Sequence, residues 1–146
     1  MAEHDDSLDR KLCFDVYALN LAFARFYAPL LDPHGLTYPQ YLVLTLLWEA
    51  DGRGLGEIGD ALDLKSSTLT PVVKRLAAAG LVTRTRGADD ERRVEIALTE
   101  QGRAMRARLR AVPSCVEEAT GLSEPEIRAL QRQLRTLRRN LHQASH

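Results

Sequence analysis

The sequence predicts a mainly α-helical fold with one small β-hairpin. Three observations carry this prediction. Apolar residues recur at helical spacing along most of the 146 residues. Strand character is confined to two neighbouring segments, residues 81–86 and 94–98. The resulting order is four helices, the hairpin and two further helices, with no internal repeat and no low-complexity stretch.

The first helix reads as residues 8–31. Leu8, Leu12, Val16, Leu19, Phe23, Phe26 and Leu30 return every three or four residues and mark one helical face. Pro29, Pro33 and Gly35 close it. Thr37 caps a second helix with Pro39 in its first turn. Residues 38–49 are apolar on nearly every side, which predicts burial by other helices or by a second subunit. Residues 51–54, DGRG, read as a turn. A short helix over 55–62 puts Leu55, Ile58 and Leu62 on one face. After a brief connection, Ser66 or Ser67 caps a helix that Gly80 ends, with Pro71 early enough to be tolerated. Its inward residues are Leu69, Val72, Val73 and Leu76. The two strands flank a charged turn, GADDERR. Thr99 caps a helix over 99–112, and Pro113 and Gly121 interrupt the helical pattern. The last helix, 123–141, opens on a capping box of Ser123 and Glu126 and carries a stripe of Leu130, Leu134, Leu137 and Leu141.

Composition fits a single globular domain over 1–146, with 45% apolar and 27% charged residues. No apolar run approaches the roughly 18 residues of a membrane helix, and the acidic N-terminus lacks a signal-peptide pattern. A cytoplasmic protein without membrane partners is expected. Cys13 and Cys115 show no CxxC spacing, so neither a zinc site nor a structural disulfide is expected, and no cofactor is. The net charge is zero, but its distribution is uneven. Residues 1–64 hold 4 basic and 11 acidic side chains, residues 65–93 hold 7 and 3, and residues 94–146 hold 9 and 6. A local basic patch inside a neutral chain is an electrostatic footprint for phosphate.

That patch coincides with a helix pair followed at once by a charged hairpin, the order of a winged helix-turn-helix. In such a pair the second helix lies in the major groove with its N-terminal residues at base edges. Here that end offers the hydroxyls of Ser66, Ser67, Thr68 and Thr70. Lys74 and Arg75 follow one turn later and can hold the phosphate backbone. The hairpin brings Arg86, Arg92 and Arg93, and an arginine at such a tip suits a narrow minor groove. Taken singly, the serines are ordinary caps and the arginines a solvated surface. Order, spacing and local charge together favour double-stranded DNA as the partner.

The segments LTYPQY, STLTPVVKRL and the wing DERR followed by LTEQG resemble the MarR family of repressors, and within it the OhrR-like organic-hydroperoxide sensors. The similarity runs from Leu8 to Val112. It implies an α-helical homodimer, with helices 8–31 and 99–144 forming the dimer interface and 37–98 the DNA-binding core. It gives Asp90 the role of orienting Arg92 at the wing tip. It makes Cys13 the reactive cysteine, with Tyr27 and Tyr38 hydrogen-bonded to its thiolate. Phe14, Phe23 and Leu42 would line an apolar pocket for an organic hydroperoxide inducer, and Tyr17 and Tyr41 would be packing residues. Cys115 lies in the region where some members carry a resolving cysteine, about one helical turn earlier than in those members, so it is either that thiol or a passive one. The implied activity is a repressor that leaves its operator when Cys13 is oxidised.

Two other readings remain open from the residues. Cys13 lies beside the apolar stripe, and from pattern alone it reads first as a small buried hydrophobe. The chain would then be a repressor released by a small aromatic ligand. A thiol enzyme acting through Cys13 has less support. His4, His34, His142 and His146 fall at the termini or in a turn, and there is neither a phosphate loop nor a carboxylate pair.

Overall fold

The computed structural model describes residues 6–87 and 93–145. Contacts group the chain into two compact units, residues 1–107 and 108–146.

In the first unit a short 3-10 turn, Leu8–Arg10, precedes helix α1 (Leu12–Leu31). The predicted helix start at Leu8 is thus corrected: Lys11 is extended (φ −91°, ψ 102°) and breaks the run. Pro29 does not close α1. It sits in the last turn, where its missing N–H removes one bond and the helix still reaches Leu31. A second 3-10 turn, Asp32–His34, ends on Gly35 in the left-handed region (φ 69°). Helix α2 (Tyr38–Glu49) begins as expected at Thr37, through a full capping box. The Gln40 N–H donates to Thr37 Oγ1 at 3.4 Å, and the Thr37 N–H donates to Gln40 Oε1 at 2.9 Å.

Residues 53–54 differ from expectation. They form strand β1 (Arg53–Gly54), paired antiparallel with a later strand, where local sequence reads only as a turn. Helix α3 (Leu55–Leu62) ends at Asp63 with φ 56°, and the Leu64 N–H turns back to the Gly59 carbonyl at 2.8 Å. A Cβ on Gly59 would stand 2.9 Å from the Leu64 carbonyl oxygen, so this tight turn requires glycine there.

Helix α4 (Ser66–Ala78) is capped by Lys65, with no side-chain bond. The expectation that Ser66 or Ser67 is the cap is therefore corrected, since both lie inside the first turn. At the other end the Gly80 N–H donates to the Ala77 carbonyl and the Leu81 N–H to the Leu76 carbonyl, each at 3.0 Å. This closure takes Leu81 out of the strand. Strands β2 (Val82–Arg86) and β3 (Val94–Leu98) form the expected hairpin, from Val82 opposite Leu98 to Arg86 opposite Val94. The sheet order is β1-β3-β2. Helix α5 (Glu100–Arg108) follows Thr99.

The core of this unit gathers Val43, Leu44 and Leu47 of α2, Ile58 of α3, Leu69, Val73 and Leu76 of α4, and Ile96 of β3, all essentially sealed from solvent. Burial of each such side chain contributes roughly 1.5–3 kcal/mol, so the helix pair and the hairpin are fixed to one another. Only one face of α2 is buried; Leu42, Leu46 and Trp48 remain half-exposed. The α1 stripe is open to solvent, with Leu12 59% and Leu19 44% exposed.

The expected single helix 99–112 is replaced by α5 and, in the second unit, a separate α6 (Val112–Thr120). Pro113 starts α6 rather than interrupting it, because the first turn needs no N–H from it. Gly121, left-handed at φ 66°, ends α6. Helix α7 (Glu124–Ala144) has the predicted Ser123 and Glu126 box and buries none of its residues. Among the described residues no helix is long and apolar enough to cross a membrane.

Candidate functional site

Helix α4 has two faces with different chemistry. Leu69, Val73 and Leu76 are sealed in the core. Ser66, Ser67, Thr68, Lys74 and Arg75 are exposed, and Thr70 is half-buried. A helix start leaves its first N–H groups without intrahelical partners, and here no side chain caps them. The first turn therefore presents free donors and the positive end of the helix dipole together with three hydroxyl side chains, a surface suited to base edges and phosphate.

The hairpin carries a second group of cations. Arg86 and Arg93 are exposed at its upper end, where the Gly87 N–H donates to the Arg93 carbonyl at 2.7 Å. Arg84 belongs with them and was missed in the sequence. It stands two residues from Arg86, hence on the same side of the strand, and that alternation was the available signal. Arg84, Thr85, Arg86 and Val94 line an open hollow of 220 Å³. Among the described residues none of Lys74, Arg75, Arg84 and Arg86 enters an ion pair. Asp90 and Arg92 lie outside the described residues.

The cysteine site divides between the ends of α1. Cys13 is its second residue and is exposed. Tyr27 lies fourteen residues further along the same helix, about 21 Å away at 1.5 Å per residue. Within one chain Cys13 and Tyr27 do not meet. Tyr27 instead packs against Tyr38, with ring centroids 4.6 Å apart, and against Tyr41 at 6.0 Å. Burial, with the neighbouring Tyr38 and Tyr41, pushes the Tyr27 phenol up to about 12. Burial, then Tyr41, also raises Tyr38. Both phenols keep their protons and remain hydrogen-bond donors. Tyr41, 8% exposed, is a packing residue as expected. Tyr17, also expected to pack, is 60% exposed in the single chain. Phe14 and Phe23 are exposed at opposite parts of α1, and Leu42 is half-buried in α2. Cys115 is half-buried in α6, in the second unit. Among the described residues no cluster of metal-ligating side chains occurs.

The family model for the transcriptional regulators SarA/Rot matches residues 25–109, which hold the whole helix pair and hairpin. A Bacillus subtilis (strain 168) organic hydroperoxide resistance transcriptional regulator is 40% identical over 93% of this chain and 92% of its own. This chain is a MarR-family regulator of the OhrR-like branch. It is a DNA-binding transcriptional regulator with a winged helix-turn-helix fold, and not an enzyme. The MarR-family chain is also similar to the regulator TtmR of Methylorubrum extorquens (strain PA1), at 50% identity over 93% of this chain and 70% of that one. Among solved structures it resembles reduced AbfR bound to DNA, from Staphylococcus epidermidis, with TM-score 0.78, 39% identity, and coverage of 92% and 94% of the two chains. The disulfide form of AbfR superposes less closely, at TM-score 0.67 with 40% identity over 89% and 91%.

Proposed function

We propose that this regulator is a cytoplasmic homodimeric repressor that senses organic hydroperoxides through Cys13 and then releases its operator. The observation that carries the reading is the separation of Cys13 from a packed, proton-retaining tyrosine pair by the length of α1. Two copies of α1 packed antiparallel would bring Cys13 of one copy beside Tyr27 and Tyr38 of the other, since a twofold contact pairs residue i with j and j with i. The solvent-exposed stripe of α1 and the leucine face of α7 supply the apolar surface for such a dimer. Two recognition helices would then read half-sites about one DNA turn apart, roughly 34–36 Å.

In the proposed site a thiolate at Cys13 meets the positive end of the α1 dipole and the two phenol donors. The sulfur attacks the outer peroxide oxygen. The S–O bond forms as the O–O bond breaks, the sulfur is oxidised to the sulfenic acid, and the peroxide leaves as the alcohol after taking a proton. A second thiol, Cys115 or a small cellular thiol, then displaces water to form a disulfide. Either product removes the anion that the tyrosines bind. AbfR has solved forms described as reduced and DNA-bound, as overoxidized and DNA-bound, and as disulfide-formed; the first and last support the reduced and disulfide states of this sequence. So does the Bacillus relative's description as an organic hydroperoxide resistance regulator. Asp90 and Arg92 are assigned to the wing tip on the same family grounds.

The test measures operator affinity of the reduced protein before and after an organic hydroperoxide, for wild type and Cys13→Ser. Release by wild type and retention by the variant is the expected result. If both forms hold the operator after peroxide, Cys13 is not the sensor, and release of both by an aromatic acid would establish the ligand-controlled alternative.

A further inference from the structure

We propose that Trp48 is a positioning residue that couples the tyrosine pair to the far end of the recognition helix. The part this coupling plays in peroxide release rests on the redox role proposed above for Tyr27 and Tyr38, whereas its geometry lies wholly within the first unit. Tyr41 contacts Tyr27 on one side and Trp48 on the other, the second contact edge-on with centroids 6.3 Å apart. Tyr41 and Trp48 are seven residues apart, two turns along the same face of α2. At the end of this row the indole N–H donates to the Gly102 carbonyl at 2.9 Å, a directional bond across 54 residues of sequence.

Gly102 belongs to a block that grips the end of α4. Its N–H donates to Thr99 Oγ1 at 3.0 Å, and the Thr99 hydroxyl donates to the Gly80 carbonyl at 2.6 Å. The Thr99 N–H donates to the Leu81 carbonyl at 3.0 Å. Gly102 itself lies so close to that carbonyl that a Cβ would come within 2.1 Å of its oxygen. Gly80 and Leu81 are the residues between α4 and β2, so whatever moves this block moves the recognition helix against the wing. The indole bond is the element of the row that carries direction, because ring contacts alone transmit displacement poorly. A second tether keeps the fold without it: Asp51, just beyond α2, accepts the Leu98 N–H at 2.8 Å.

The test compares wild type with Trp48→Phe, which keeps an aromatic ring and loses only the donor. Reduced variant is expected to bind operator as wild type does and to oxidise at Cys13 at the same rate. Its loss of affinity on oxidation should be smaller by about fivefold, the worth of one hydrogen bond. An unchanged ratio of reduced to oxidised affinity overturns the proposal, whereas a merely structural role would shift both affinities together. The chain contains a single tryptophan, so emission from wild type reports the same coupling without mutation or oxidant. Coupling is reciprocal, so operator binding to the reduced protein should change Trp48 emission saturably, and the change should shrink in Tyr41→Leu. Emission that ignores operator overturns the coupling even if Trp48→Phe fails to fold. If wild type stays on its operator after peroxide while emission responds to DNA, the redox reading falls and the coupling stands.

Discussion

A single missing side chain sets the join between helix α5 and the end of α4. Helix propensity favours alanine over glycine at position 102 by about 1 kcal/mol. Backbone proximity decides the other way, because a Cβ would meet the Leu81 carbonyl oxygen at 2.1 Å. Gly102→Ala is therefore expected to destabilise the protein by about 2 kcal/mol or more, read as a lower urea midpoint at unchanged slope. Tyr27 makes a second prediction at this scale. Its folded pKa is about 12 against an ordinary 10.0, so the folded state binds the proton more tightly. The resulting stabilisation is complete below pH 10 and is lost as pH rises towards 12. Urea unfolding between pH 9 and 11.5 should show wild type losing stability more steeply than Tyr27→Phe; equal slopes would contradict the desolvated phenol.

Helix starts behave differently according to what caps them. Thr37 accepts the Gln40 N–H and sits in a reciprocal box, so Thr37→Ala should cost about 1 kcal/mol. Ser66 and Ser67 occupy the first turn of α4 without capping it. The double variant Ser66→Ala, Ser67→Ala should stay within about 0.5 kcal/mol of wild type in thermal unfolding while losing operator affinity. Loss of stability without loss of affinity would return the serines to a capping role. Much of this level was legible in sequence, because caps, terminal glycines and helical periodicity are local. The bounds of α2, α3 and β3 follow from such signals. Strand β1 was not legible, since two residues pair only when β3 arrives from about 40 residues away. The split of α5 from α6 was missed because Pro113 was read as a breaker, when at a first turn it is a starter.

For the whole molecule, α1 is the element whose meaning changes most. Its stripe has the pattern of a core-facing helix, yet Leu12, Val16, Leu19 and Phe23 are exposed in the single chain. The proposed dimer covers them and puts each Cys13 beside the second copy's tyrosines. Mixed dimers test that arrangement directly. One chain carrying Cys13→Ser and one carrying Tyr27→Phe retain one complete site if the site forms between copies, and none if it forms within a chain. Sulfenic acid formation in the mixed dimer should proceed at the wild-type rate for one site, and far slower in either parent homodimer.

The amino-acid sequence by itself determined the helix pair, the hairpin and the basic surface of α4, because each depends on periodicity, capping or local charge; Cys13, Tyr27 and Tyr38 were singled out only by the family resemblance. Tertiary structure alone decided which of these residues meet. It separated Cys13 from Tyr27 by the rise of α1, joined Tyr27 to Tyr38 and Tyr41, and ran the Trp48 N–H to Gly102. Contacts of that kind follow from how elements pack, and no spacing along one element encodes them.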